Sequence, residues 1–184
     1  YCNNTIVSTP EKSLHKYISN QYNDQVTFIK RNPKFARVNY GLEDTVDEVL
    51  TSFMKNNEKP DAILVLYIDY PFKQTWQINE VVHTMQIFDV DAVDGVRLDD
   101  RFFYKHDGGG LKPIVDGGGL HLERDQLYRR VGGIHLIKTD SFLKNKKMIS
   151  GRIGHINYDQ KTSFQIKSDL DWKIAEALTS CLEL

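Results

Sequence analysis

Apolar residues along this chain fall into runs whose spacing changes from one stretch to the next, and one run organises the others. Residues 62 to 68, Ala-Ile-Leu-Val-Leu-Tyr-Ile, are almost all apolar and stop abruptly at Asp69, Tyr70 and Pro71. A short run rich in β-branched and aromatic residues predicts a strand buried on both faces, with the polar tail marking its exit from the core. Upstream, Thr5-Ile-Val7 reads as a short strand, and Ser8-Thr9-Pro10 carries helix-start chemistry with Ser8 or Thr9 as N-cap and Pro10 at the first helical position. Leu14, Tyr17 and Ile18 then recur at helical spacing, so residues 10 to 21 are expected to lie as a helix on the sheet. Val26 to Ile29 is the next strand, followed by a basic, irregular stretch from Lys30 to Leu42 that reads as a long surface loop. Glu43 to Asn57 places Val46, Val49, Leu50, Phe53 and Met54 on one helical face, with acidic residues in its first turn. After the central run, Thr75 caps a helix with a stripe of Ile78, Val81, Val82, Met85 and Phe88, and residues 92 to 98 alternate as a strand. Strand and helix thus take turns, which predicts an α/β fold with a mostly parallel sheet and helices on both faces.

The alternation breaks at Arg101. Phe102 to Tyr104 reads as a strand, and the string Asp-Gly-Gly-Gly-Leu then occurs twice, at 107 to 111 and at 116 to 120. Glycine runs give mobile turns; backbone amides gathered round an anion are the competing reading, but such a cradle opens a helix, and Gly119 is followed by Leu-His-Leu. Residues 131 to 137 and 154 to 158 are expected strands. Ser168-Asp-Leu-Asp171 has the pattern of a capping box, so Asp169 and Asp171 are assigned to a helix start rather than to a metal, ahead of a final helix with Leu170, Ile174, Leu178, Cys181 and Leu182 on its apolar face.

Length and charge narrow the partners. The 184 residues favour one domain, a size at which roughly 70% of the extended surface is buried without help from disulfides. Cys2 and Cys181 sit near opposite ends with no Cys-x-x-Cys spacing, which suits a reducing compartment and argues against structural zinc, a pairing of the two being the lesser alternative. Lys and Arg number 24 against 25 acidic residues, so no global field draws in a nucleic-acid polymer. No apolar stretch is long enough to span a membrane, and the expected location is the cytoplasm. A first residue other than Met, with a strand almost at once, predicts a piece of a longer polypeptide.

Candidate chemistry centres on Asp69. In open α/β sheets ligands bind outside the carboxyl ends of strands, so a carboxylate there is a candidate site; capping of the following turn is the alternative. Arg124, Arg129 and Arg130 form a basic segment that is either a solvated charge run or a grip for a carboxylate or phosphate. The six histidines never fall at metal-ligand spacing and Gly-x-Ser-x-Gly is absent, which removes the zinc and serine-hydrolase readings.

The order of several motifs resembles the cytidylyltransferase family that includes the acylneuraminate (CMP-sialic acid) and CMP-Kdo synthetases. The pieces are Ile-Val-Ser-Thr at 6 to 9, Arg31-Asn-Pro33, Glu-Asp-Thr-Val-Asp-Glu-Val-Leu at 43 to 50, Asp69-Tyr-Pro71, Arg124-Asp-Gln126, Gly-Gly-Ile-His-Leu at 132 to 136 and Ser168-Asp-Leu-Asp-Trp-Lys-Ile-Ala175. They span nearly the whole chain. The resemblance implies a Rossmann-like three-layer fold in a single nucleotidyltransferase-like domain, lacking its first strand and nucleotide loop, with a strand-rich insertion around residues 97 to 130 that serves as a dimerisation element. It implies transfer of CMP from CTP to a sialic acid-like or Kdo-like sugar with release of pyrophosphate. The roles that follow are Asp69 and Arg124 as catalytic residues, Asp69 on Mg2+, Ser8, Lys30 and Arg31 on the nucleotide, and Arg124, Gln126 and Tyr67 on the acidic sugar. Tyr67-Ile-Asp-Tyr-Pro71 is similar to the Gln-Gly-Asp-Glu-Pro of the Kdo enzymes, whose aspartate is a metal ligand and coincides with Asp69. Gln165 and Lys167 stand where the sialate enzymes carry Asp-x-Asp, and a charged lysine repels Mg2+. The alternative is a non-catalytic module of the same fold that binds a nucleotide sugar or a protein partner within a larger polypeptide.

Overall fold

The computed structural model describes residues 2–22, 25–37, 40–114 and 127–180. It is a mixed α/β chain of eight strands and five helices among those residues. Strand β1 (Ile6–Thr9) leads through helix α1 (Lys12–Tyr22) to β2 (Thr27–Lys30), and the two strands pair in parallel with Ile6 opposite Thr27 and Thr9 opposite Lys30. A second sheet has four strands in the order β3 (Ala62–Leu66), β7 (Leu127–Lys138), β4 (Ala92–Asp99), β8 (Ile153–Asn157). The remaining pair, β5 (Tyr104–His106) and β6 (Leu111–Pro113), is an antiparallel hairpin. Helices α2 (Leu42–Met54), α3 (Thr75–Phe88), α4 (Thr139–Asn145) and α5 (Asp169–Ser180) complete the order.

The contacts divide into two compact units. The first comprises Tyr1–Leu64, Val82–Val93 and Leu136–Gly154, and the second Val65–Val81, Asp94–His135 and His155–Leu184.

In the first unit, α2 buries Val46 and Leu50 at the spacing that its sequence predicts. Phe142 of α4 and Ile137 are fully buried, with Val90, Leu136 and Met148 also in the core. Helix α4 starts where the Thr139 N–H meets the Asp61 carbonyl at 2.9 Å and ends at Lys146, whose φ of 50° is left-handed and stops the helix. The expected basic loop contains a 3-10 turn, Pro33–Ala36, whose first free amide, on Lys34, is taken by the Asn32 side chain. Helix α1 departs from expectation. It begins at Lys12 because Ser8 and Thr9 belong to β1, and Thr9 Oγ1 instead accepts the Glu11 N–H at 3.2 Å. None of its residues is buried; Leu14 is 38% and Tyr17 59% exposed.

In the second unit, Val81, Val131 and Ile134 form the fully buried apolar centre. The Tyr158 ring lies over Gly95, where a Cβ would come within 2.0 Å of it. Burial away from any hydrogen-bond partner, with the charges of Asp94 and Glu80 adding to it, pushes the Tyr158 hydroxyl far above its ordinary range. Asp94, itself buried, pairs with Arg130 and faces His135 Nδ1 at 3.5 Å. Gln77 in the first turn of α3 reaches back to the Gln74 N–H at 2.8 Å and gives its own amide hydrogen to Thr162 at 3.0 Å. Thr75, expected as the cap, is the first helical residue, and the bond formed is the reciprocal half of a capping box, from the third helical residue back to the N–H of Gln74. The cap of α5 forms as predicted: Ser168 Oγ accepts the Asp171 N–H at 3.3 Å, and the Asp171 carboxylate accepts the Lys167 N–H at 3.0 Å. The first Asp-Gly-Gly-Gly string is the tip of the β5–β6 hairpin, where Gly108 and Gly110 have φ of 94° and 154°. The second string and the rest of the strand-rich insertion up to Gln126 lie outside the described residues.

The central run corrects one expectation. It is a strand only to Leu66, and it is half-buried rather than buried on both faces: Ile63 to Val65 are partly accessible, and Leu66 is 46% exposed. The reason is its place at the end of the four-strand order; the deeply buried stretches are β7 from Val131 onward and the first half of β4. What fixes the end of β3 is a ring and two glycines. The Tyr70 ring, buried, packs on Gly132 and Gly133 of β7, and its hydroxyl accepts the Gly132 N–H at 3.1 Å. A Cβ on Gly132 would stand 2.7 Å from a ring carbon, and Gly133 has a φ of 96°. Desolvation raises the Tyr70 hydroxyl above its usual range, partly offset by the Gly132 amide.

Gly132→Ala is therefore expected to destabilise the protein by about 1–3 kcal/mol through overpacking, and to cost less in a Tyr70→Ala background, where the ring is gone; urea unfolding of the four members of that cycle measures it. A second expectation concerns acid. Asp99 accepts hydrogen bonds from the Arg101 side chain and backbone, with Arg129 Nε 3.6 Å away, which holds its carboxyl down at about 2. Its unfolded value is about 3.9, so this stabilisation is complete above that pH and is lost as pH falls from about 4 to 2. Asp99→Asn should lower stability at neutral pH and flatten that part of the acid-unfolding curve.

Candidate functional site

Beyond Leu66 the chain folds back in a tight turn that carries Asp69, and three contacts hold the turn in the second unit. The Tyr67 N–H donates to the Gly133 carbonyl at 3.0 Å, which extends the pairing toward β7 by one residue. Tyr70 sits in its glycine bed. Lys73 reaches back across the turn and donates from Nζ to the carbonyls of both Tyr67 and Tyr70, the peptides on either side of Asp69. Half-burial lowers the Lys73 ammonium from its ordinary range, and the charge of Asp69 opposes that fall.

Asp69 meets a segment far away in sequence. Its carboxylate Oδ2 accepts the Gln165 Nε2 amide at 2.6 Å, and its backbone carbonyl accepts the Ile166 N–H at 2.9 Å. The segment that supplies these groups is itself fixed. Asp159 Oδ1 caps the Thr162 amide at 2.7 Å, Thr162 Oγ1 accepts from Gln77, and the Phe164 ring packs against that of Phe72 with centroids 6.2 Å apart. Next to the turn lies an open, mostly apolar cleft of about 510 Å³ whose walls include Ile68, Phe72, Ile166 and Trp172. Ile68, directly before Asp69, is 93% exposed.

The other expected site residues fall as follows. Tyr67 shares the turn with Asp69, and it holds Lys73 through its carbonyl. Ser8, Lys30 and Arg31 belong to the first unit. The Ser8 hydroxyl is buried with no hydrogen-bond partner in β1. Lys30 lines an open cleft of about 410 Å³ together with Asp44, Glu48 and Lys55. The Arg31 guanidinium is committed within its own unit, since Nε and Nη2 donate to Thr45 Oγ1 of α2 at 2.9 and 2.7 Å. Arg124 and Gln126 lie outside the described residues. Of the basic segment that contained Arg124, Arg129 and Arg130 are on β7 and face Asp99 and Asp94.

Two participants escaped the sequence reading. Lys73 stands four residues beyond Asp69, a spacing that in a turn brings it back onto the same carbonyls, so a basic residue after Pro-Phe was the available signal. Gln165 was noted only as an unusual residue in place of a carboxylate, and nothing local in its sequence points to Asp69.

The donors at Asp69 do not make a magnesium site by themselves. Mg2+ takes oxygen ligands in a near-octahedral shell, usually one or two carboxylates with substrate phosphates and water. Here one carboxylate is present, one of its oxygens already accepts an amide hydrogen, and an ammonium lies in the same turn. Among the described residues no three His, Cys, Asp or Glu side chains converge on a common point.

The arrangement invites comparison with known proteins. No protein-family profile matches the chain, and no curated protein matches it by sequence. Solved structures do. A 4-diphosphocytidyl-2C-methyl-D-erythritol synthase from Anaerococcus prevotii superposes with a TM-score of 0.69 at 10% identity, over 97% of this chain and 82% of the other. A 2-C-methyl-D-erythritol 4-phosphate cytidylyltransferase from Thermus thermophilus gives 0.58 at 13% identity, over 97% and 83%. A CMP:2-keto-3-deoxy-manno-octonic acid synthetase complexed with CTP gives 0.66 at 10% identity, over 98% and 82%. No helix among the described residues is long and apolar enough to cross a membrane. With identities this low the likeness is one of architecture: the chain has the α/β fold of the cytidylyltransferases.

Proposed function

We propose that this chain is a nucleotidyltransferase that takes CTP and an acidic sugar of the sialic acid or Kdo kind, joins the sugar to CMP and releases pyrophosphate. The observation that carries the reading is Asp69 just past the end of β3, its carboxylate held by Gln165 and its backbone carbonyl by Ile166, in a turn that also holds the Lys73 ammonium. Strand ends are where open α/β sheets bind ligands, and the structures of this fold named above include one in complex with CTP. In the reaction a sugar hydroxyl attacks the α-phosphorus and gives up its proton to solvent, a new phosphorus–oxygen bond forms, and the bond from the α-phosphorus to the bridging oxygen breaks as pyrophosphate departs. Such transfers need little covalent chemistry from the protein. They need alignment of the two substrates and charges aimed at the phosphates.

The turn supplies both in part. Lys73 has three N–H donors and spends two on carbonyls, which leaves one for an anionic oxygen. Asp69 is rigid because its side chain and backbone are both tied to residues 165 and 166, so it is suited to orienting a hydroxyl by accepting its hydrogen. The open cleft with Ile68 and Trp172 gives an apolar wall to one side of the turn. Ser8, Lys30 and Arg31 are proposed for the nucleotide on the motif resemblance, with Arg31 acting through its hold on α2. Arg124 and Gln126 are proposed for the sugar carboxylate.

The test is calorimetry and pyrophosphate release. CTP should bind with a dissociation constant between about 1 μM and 1 mM, the ordinary range for enzyme substrates. Release of pyrophosphate should depend on sialic acid or Kdo, and Asp69→Asn should slow it by roughly a hundredfold or more, as loss of one preorganised polar group does elsewhere. CTP binding without turnover on either sugar would favour a non-catalytic module, and no CTP binding at all would sink the transferase reading.

A further inference from the structure

The proposed function leaves open what balances the charge at Asp69, and the turn itself answers in terms of its own residues. What meets this carboxylate is a hydrogen-bond donor rather than a further oxygen, and the nearby ammonium is held by backbone carbonyls of the same turn. The Gln165 amide gives a hydrogen to Oδ2 at 2.6 Å. Lys73 is drawn into the same turn by the Tyr67 and Tyr70 carbonyls, the two peptides that bracket Asp69, with its stem half-buried. Tyr70 cannot swing away to open the turn without leaving the Gly132 amide and the space that two glycines keep for its ring.

We infer that Lys73 is a built-in cation which takes the place of a divalent ion beside Asp69, so that the site receives phosphate oxygens without a metal and keeps free divalent ions out. A dication brought to Asp69 would be repelled by the ammonium twice as strongly as a monocation, at a distance where the intervening medium is partly protein rather than water. Bound through Oδ1, it would gain no second oxygen ligand from Gln165 unless that amide turned over, which would break the bond that now holds residue 165 to the turn. A phosphate oxygen meets neither obstacle. It needs one N–H, and Lys73 has one left over. The inference deepens the nucleotide reading, and its decisive measurement uses no nucleotide.

That measurement is a titration of the full chain with Mn2+, a paramagnetic probe of magnesium-type sites, followed by the electron paramagnetic resonance of the free ion. Wild-type protein should bind no Mn2+ at this turn up to about 1 mM, and Lys73→Gln should gain a site that Lys73→Gln/Asp69→Asn lacks. Lys73→Arg, which keeps the charge, should still exclude the ion. Because Lys73→Gln could open the turn, Lys73→Met, which keeps the apolar stem, is carried beside it, and both are first checked by urea unfolding. Wild-type binding of Mn2+ below 1 mM that Asp69→Asn abolishes would overturn the inference, as would a folded Lys73→Gln or Lys73→Met protein that gains nothing. With pyrophosphate as the second probe, equal affinity in EDTA and in Mg2+ agrees with the inference, and affinity that appears only with Mg2+ contradicts it. Failure of CTP to bind under either condition tells against the proposed function, while the Mn2+ result stands on its own.

Discussion

The packing of one aromatic ring on two glycines sets the geometry on which the candidate site depends. Tyr70 occupies volume that any side chain at Gly132 would need, and Gly133 adopts a backbone angle that other residues rarely take. With the ring in place, the hydroxyl meets the Gly132 amide and the turn from Tyr67 to Lys73 has one position against β7. Asp69 is displayed at the apex of that turn, and Lys73 closes it from the other side. A phenylalanine would fill the same space but leave a strand amide without its partner, so volume and hydrogen bond act together. The far segment then docks onto a surface already made: Ile166 on the Asp69 carbonyl, Gln165 on its carboxylate, Phe164 against Phe72.

Much of the positive charge that looked free in the sequence is spent inside the chain. Arg31 holds α2 through Thr45, Arg101 and Arg129 surround Asp99, and Arg130 neutralises the buried Asp94. Buried carboxylates demand such partners, because an unpaired charge out of water costs far more than the pair gains. A basic residue near a cleft is therefore weak evidence for a ligand until its own contacts are known. Lys73 differs from these arginines because its partners are carbonyls, which spend donors without cancelling charge.

What the sequence made legible was local. The α2 stripe, the α5 cap at Ser168 and the β4 strand follow from spacing and capping chemistry, and all three stand where expected. Burial was not local. The run at 62 to 66 has the composition of an interior strand, yet it lies at the end of the sheet order, since composition says nothing about which neighbours arrive. Helix α1 has an apolar spacing with no buried face for the same reason. The contact between Asp69 and Gln165 joins residues 96 apart in the chain, and only the tertiary fold brings an amide to that carboxylate. Gly132-Gly133 announced that something approaches β7 closely; that it is Tyr70 could not be read from either stretch alone.

The role of a carboxylate at a strand end is decided by what faces it. Opposed by a second carboxylate, Asp69 would carry an excess of negative charge that a divalent ion relieves. Opposed by an amide, it has one of its two oxygens engaged by a neutral donor, and a cation at that same oxygen would have to displace the amide. One residue, Gln165, thus changes the electrostatic demand of the site without disturbing its geometry, because an amide and a carboxylate have nearly the same shape. With that demand lowered, the proposed phosphate contact would fall to the ammonium of Lys73, whose two carbonyl partners leave its charge uncancelled.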